Sequence, residues 1–573
     1  MRTYHKNIRG KIIAAAAAMA AATAIGSTGL PLAGAAATLD QNYWIGPNGL
    51  GNQGGNWNSA ANWQVSFYNY GGIAYNDYNG HWIPGSNGSG TYDNTIAPSA
   101  DNNPEKGAAP GTSGGGYQDD AYISNTSKLS STPSGGYGYT VNPYTITINT
   151  TIPTTYTSYR YLQINANPNG GSQAVSPVTL NVTTGGYLQF GQTMMSRDGV
   201  DATINVDGGE LYLQGSLQAG EGLSTPVAGG GATAFVTVSS GSIYSTGLQV
   251  GQGSSGVVAL SGGLINMNTN PSGTNVYGSL YMGGGAYSTK NSNGVSTYYA
   301  GTGTVNQTGG TMDVGREIYL GANSAGIYNL SGGTLNHFGG QSYSFYVGVN
   351  STGTVNISGK GTANVGELAV GTDRGNGNAN QPDPSLDPTG IVNISGGNLN
   401  GQLLTVGNPD NVGTGRFTII GSKASIIFQQ VQSTTPMQTF ANGTLAFQTD
   451  SGGISTIYAN AASGYTTAEI INLGGTLALD LAPGFTAIHN QIYTLISTNM
   501  VFGTGTTAIN DASLALAAGD LGNWSIFLTN TGTTTELQAQ YLGNTVVPEP
   551  SALALLATAG AGLSLVTRRR RAA

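Results

Sequence analysis

The 573-residue chain has no cysteine, which removes disulfides, thiolate metal sites, iron–sulfur clusters and Cys nucleophiles together. Charge is scarce as well. Lys, Arg, Asp and Glu make up 8% of the residues, against about 25% in an ordinary soluble protein. Only 21 Pro are present and the 92 Gly follow no strict three-residue period, so collagen is excluded. What is there is an apolar fraction of 39%, adequate for a core and inconsistent with wholesale disorder. Whatever stabilises this chain is backbone pairing and packing.

The few basic residues sit at the two ends. Four (Arg2, Lys6, Arg9, Lys11) lie in the first eleven positions and four at Arg568, Arg569, Arg570 and Arg571, leaving ten against 26 acidic residues in the body. Neutralising phosphates needs a basic face that such a body lacks, so no nucleic-acid partner is expected.

Both ends read as addresses. Residues 1–37 have a basic start, an Ala-rich apolar run from Ile12 to Ile25 and small residues at Ala33-Gly34-Ala35 or Ala35-Ala36-Ala37, the pattern of a secretory signal peptide. At the other end, residues 546–573 contain Pro548-Glu549-Pro550, an uncharged Ala/Leu-rich stretch Ser551–Val566 and the cluster Arg568–Arg571. As a helix the apolar stretch spans about 24 Å, a little less than a hydrocarbon core, with the Arg cluster held on the cytoplasmic side. This tripartite tail resembles a PEP-CTERM sorting signal. The resemblance implies an exosortase-type processing enzyme as partner, processing near Pro548-Glu549-Pro550, transient inner-membrane anchoring, and delivery to the cell surface or exopolysaccharide matrix. A permanent C-terminal anchor is the alternative and gives the same topology.

Between the ends the chain repeats itself. One phrase recurs at Gly303–Met312, Gly326–Leu335, Gly353–Lys360 and Gly390–Leu399, and each copy closes on an apolar-Gly pair: Leu320-Gly321, Val347-Gly348, Val370-Gly371 and Val406-Gly407. Several copies lie about 22 or 23 residues apart, and others are lengthened by Gly/Asn/Ser-rich insertions, a solenoid signature. Within a copy, apolar residues alternate with polar ones, the period of a half-buried strand, and no helical spacing appears. Stacking in register predicts three inward columns: Val305, Tyr328, Val355 and Val392; Gln307, Leu330, Ile357 and Ile394; Leu320, Val347, Val370 and Val406. The fold expected is all-β, a parallel β-solenoid with right-handed coiling as the prior. Nine or ten coils would make a rod of roughly 45 Å. The repeats are placed at 176–430, with a Trp/Tyr/Gly-rich cap at 38–175 and a β-rich closing segment at 431–545, either further solenoid or a small sandwich. The phrase resembles the autotransporter-associated β-strand repeat of large secreted surface proteins. Lys360 stands in one copy where the second Gly is expected, and Gln307 occupies a core column.

Chemistry has few candidates. Trp44, Trp57, Trp63 and Trp82 cluster in the N-terminal segment, as the cover of a first coil or as stacking platforms for sugar rings. The four His (His5, His81, His337, His489) have no ligand spacing and no triad context. Arg197, Asp198 and Asp201, with Asp207 and Glu210, are weighed as a calcium group against ordinary turn acids. Glu317 and Glu367 fall at equivalent positions two coils apart, about 9.6 Å, a separation compatible with an inverting carboxylate pair or with a solvated outer face. Asn306, Asn329, Asn356 and Asn393 form an outward column, suited to hydrogen bonding along the rod or to a polysaccharide. The expectation is a non-catalytic exported solenoid without cofactor or metal, structural or adhesive. A carbohydrate-binding or carbohydrate-cleaving protein is the alternative.

Overall fold

A strand with alternating apolar and polar residues has one dry face, and each coil of the computed structural model turns that face inward three times. The structure describes the strands between residues 39 and 164, then 177–543 apart from 197–199, 222–231, 285–287, 291–295, 299–300, 341, 373–387, 410–411, 431–435, 462–469, 484, 486, 503–513 and 518–522. Among the described residues every regular element is a strand. The segment 1–37 read as a signal peptide, Trp57, Arg197, Asp198 and the sorting tail lie outside them.

Three faces run the length of the solenoid. The first starts at Tyr144–Ile148, continues through Val178–Thr183, Ala202–Asp207 and nine further parallel rungs, and ends at Leu514–Leu516. The second stacks Tyr187–Phe190, Glu210–Leu213 and their successors down to Ile457–Ala461 and Ile492–Thr498. The third is a 16-stranded sheet that takes in Tyr161–Ile164, Ile318–Leu320, Glu367–Val370 and Val501–Phe502. Thirteen rungs on the first face make a rod of roughly 60 Å, longer than the repeat phrase alone suggests. The reason is that flanking coils keep the alternation without the Gly-Gly wording, as in the inward Leu445, Phe447, Leu477 and Leu479.

All three inward columns predicted from the phrase are present, residue for residue, in the strand registers. Their members are almost fully buried, and each Val, Leu or Ile among them contributes about 1.5–3 kcal/mol of hydrophobic stabilisation. Gln307 is satisfied in the core. Its Nε2 donates to the Thr334 carbonyl at 2.9 Å and its Oε1 accepts the Tyr328 hydroxyl at 2.6 Å. Lys360 proves to be an added corner residue. Thr362 pairs with Thr334 and Asn398, so Gly361 takes the register of the second Gly.

Two corners depend on glycine for a physical reason. At Gly348 the backbone has φ +77, and a Cβ would lie 2.3 Å from the Thr389 carbonyl carbon of the next coil. At Gly333 the φ is +75, and a Cβ would meet the Gly309 carbonyl oxygen at 2.4 Å. Only glycine allows both the left-handed conformation and this close stacking of backbones.

The ends are closed differently. Downstream, Ile492–Thr498 pairs antiparallel with Thr535–Tyr541, which pairs with Trp524–Asn530. Trp524 is 5% exposed, with ring centroids 5.9 Å from Tyr493 and 5.1 Å from Tyr541, an aromatic plug that excludes water from the last coil. Upstream, Leu39–Trp44 lies parallel to Asp120–Ile123 and antiparallel to Trp63–Asn69, which in turn pairs with Ile73–Asn76.

Candidate functional site

Polar side chains that leave the core gather along the edge between the second and third faces. Leu280 pairs with Ile318, Ile318 with Phe345 and Ser344 with Glu367. Glu317 and Glu367 therefore occupy one column with Ser344 between them, as counted from the sequence. Each carboxylate is held by a neighbouring coil. Ser279 Oγ donates to Glu317 Oε2 at 3.1 Å. Glu367 accepts a short bond from Ser344 Oγ at Oε2 and one from Thr405 Oγ1 at 3.4 Å. Burial pushes the Glu367 carboxyl above its ordinary range, and the two hydroxyls partly oppose that shift.

Beside this column the aromatic residues of successive coils stack. Tyr281 and Tyr319 have centroids 4.8 Å apart, and Tyr319 and Tyr346 5.3 Å apart with planes within 7°. Burial raises the Tyr346 hydroxyl, and the charges of Glu367 and Glu317 add to the effect. Arg316 caps the corner, its guanidinium 4.8 Å from the Tyr343 ring centroid and donating to the Tyr343 hydroxyl at 3.2 Å.

The Asn column of the first face is a hydrogen-bonded ladder. Asn329 donates to Asn306 at 2.8 Å, Asn356 to Asn329 at 2.8 Å and Asn393 to Asn356 at 2.9 Å. A second ladder, not anticipated from the sequence, runs along the second face: Asn336 donates to Asp313, Asn364 to Asn336 and Asn400 to Asn364, each at 2.9 Å. Its signal was available in the residue two places after each Gly-Gly-Thr/Asn turn.

Next to the second ladder the corner is irregular. Residues 338–343 separate Gly326–His337 from Ser344–Val347, a longer excursion than Val365-Gly366 in the following coil. The excursion throws Phe338 outward, 53% exposed, and leaves a groove of about 570 Å³ over the following corners. Asn336, Asn364, Asn400, Gln402 and Ile427 line it, and the His337 ring forms part of its wall. His337 points into an otherwise apolar corner column, opposite Val314, and neither ring nitrogen meets hydrogen-bond geometry with a partner. Burial depresses its pKa to about 4, with the Arg316 backbone and the Glu317 charge opposing the shift, so the ring is neutral at pH 7.

Other candidates disperse. Trp44 and Trp63 share one register position on paired strands, whereas Trp82 sits opposite Tyr92 on a separate two-stranded sheet. Asp207 accepts from Ser239 and Ser240 at 2.9 and 2.8 Å, which lowers its pKa, and Asp201 accepts the Thr233 amide at 2.7 Å. Among the described residues no three His, Asp or Glu converge on a metal-sized site. His81 pairs with Asp93 in strand register, and His489 Nδ1 lies 3.3 Å from the Gly543 carbonyl.

These features define an all-β protein built as a parallel solenoid, with polar ladders on its faces. Residues 546–571 match the PEP-CTERM protein-sorting motif. The chain is thus an exosortase-sorted, exported protein of the cell surface or extracellular space. No curated protein matches the chain.

Proposed function

We propose that this protein is a non-catalytic rod of the cell surface or extracellular matrix, serving structure or adhesion. Its coils belong on this reading to the autotransporter-associated type. The exosortase-type enzyme releases it near Pro548-Glu549-Pro550 after transient anchoring by Ser551–Val566, with Arg568–Arg571 on the cytoplasmic side. The observation that carries the reading is how the outward polar groups are used. Ladder amides bond to one another, and Glu317 and Glu367 are held by serine or threonine hydroxyls of adjacent coils with Ser344 between them. An inverting pair must face a common space that holds substrate and a water. The purified chain is expected to release neither new reducing ends nor unsaturated products from a polysaccharide panel that includes the producer's own matrix. Product formation abolished by Glu367→Gln or Glu317→Gln would overturn the reading.

The groove beside Phe338 favours a second reading, a carbohydrate-binding protein of the same compartment, with exopolysaccharide as its partner. The paired positions of Trp44 and Trp63 offer that reading another site.

A further inference from the structure

A side-chain amide has two N–H donors and two acceptor lone pairs. Along the second-face ladder, Asn336 and Asn364 each spend one donor and one acceptor on their neighbours. Each keeps one donor and one acceptor. The ladder ends at Asn400, because the next residue in that column is Ile427. These spare groups recur at the coil spacing of about 4.8 Å and border the groove. Phe338 provides an exposed aromatic surface there, and Ile427, 38% exposed, also lines the groove. His337 also borders the groove, but its ring is 6% exposed and turned into the corner column.

The chemistry around the groove narrows its ligand. Among the described residues no Asp, Glu, Lys or Arg lines it, and the body is acidic, so an acidic polymer would lose its water shell without gaining a cation. A peptide adding as a strand needs an open sheet edge, whereas the rungs here are already paired on both sides. A polyhydroxylated, uncharged chain fits both kinds of lining: its hydroxyls take the spare amide groups, and the C–H face of a sugar ring covers an aromatic ring.

We propose that this groove binds an uncharged polysaccharide strand laid along the solenoid axis, with Asn336, Asn364, Asn400 and Gln402 bonding its hydroxyls and Phe338 stacking on one sugar ring. The proposal rests on the carbohydrate-binding reading and assigns its site. The test is native affinity electrophoresis of the full-length purified chain in gels containing dextran, laminarin or galactomannan, with alginate as the acidic comparison. Phe338→Ala and Gln402→Ala are the groove variants, and Phe235→Ala, an exposed aromatic of the first face, is the control. Equal thermal midpoints establish that the variants are folded. The expected result is retardation by at least one neutral polymer, weakened about tenfold by Phe338→Ala, a loss of roughly 1.4 kcal/mol, weakened to a smaller degree by Gln402→Ala and unchanged by Phe235→Ala. Retardation that persists in both groove variants would leave the carbohydrate-binding reading standing and overturn this site. Retardation only by alginate overturns the proposed ligand class. No retardation by any polymer overturns the site and the carbohydrate-binding reading together.

Discussion

The coils from Gly303 to Val406 and those from Thr414 to Leu481 share one backbone register but hold it by different means. In the earlier coils the inward side chains are mostly of Val and Leu size, and the outward faces carry two Asn ladders. In the later coils the ladders stop: Thr418 and Ala446 follow Asn393 on the first face, and Ile427 and Tyr458 follow Asn400 on the second. There Phe417, Phe428 and Phe447 are fully buried among aliphatic residues, against Tyr328 and Phe345 in the earlier coils. Parallel stacking is thus a property of alternation and glycine corners. The Asn ladders are additions to it, since the later coils keep the register without them.

The largest effect is expected at a glycine corner. Gly348→Ala adds both the left-handed strain and a backbone clash, and is expected to cost roughly 4 kcal/mol or to unfold the surrounding coils, read as a lost or split thermal transition. Phe428→Ala tests the later coils. Its ring packs where Gly401 has no side chain, a Cβ there falling 2.5 Å from the ring. Its removal should cost about 3–5 kcal/mol in a denaturant titration.

Acid sharpens the difference next, because the earlier coils alone contain a buried histidine. His337 has its pKa lowered from 6.5 to about 4, so the folded state binds fewer protons than the unfolded state. Stability is therefore full above the ordinary histidine range and is lost as pH falls from about 6.5 toward 4, by up to roughly 3 kcal/mol. His337→Val, which matches the Val314 beside it, should remove that dependence in melts recorded from pH 7 to pH 4. A smaller effect is expected from Asn356→Ala, about 1–2 kcal/mol, since it strands Asn329 Oδ1 and an Asn393 N–H that water can partly reach. Thr418→Ala, the corresponding change in the later coils, removes a buried hydroxyl that makes no hydrogen bond and should alter the unfolding free energy by less than about 0.5 kcal/mol. Equal losses at the two positions would show that the ladder adds nothing.

Much of this was legible before any coordinates. The columns through Val355, Ile357 and Val370 follow from alternation and from the fixed distance to a glycine corner, and Glu317 and Glu367 follow from counting back from that corner. The groove was not legible. It depends on the corner after His337, where Phe338 turns outward, and a departure from a repeat carries no repeat of its own. The Tyr281, Tyr319 and Tyr346 column was legible by the same count, since each Tyr stands two residues before a corner Gly; only the stacking of their rings needed the structure. Trp524 went unread because a lone Trp has no pattern until its strand meets Tyr541.

Fold class, inward columns and sorting address are each written in local spacing: period-2 alternation, glycine where φ must be positive, and a Pro-Glu-Pro, apolar, Arg order at the end. Three things are not written there: which hydroxyls hold the carboxylates, where the ladders end, and that an exposed Phe lines one groove with a row of half-used amides. Those facts depend on which residues of neighbouring coils lie one strand spacing apart, and that distance is set by the stacking of the whole rod.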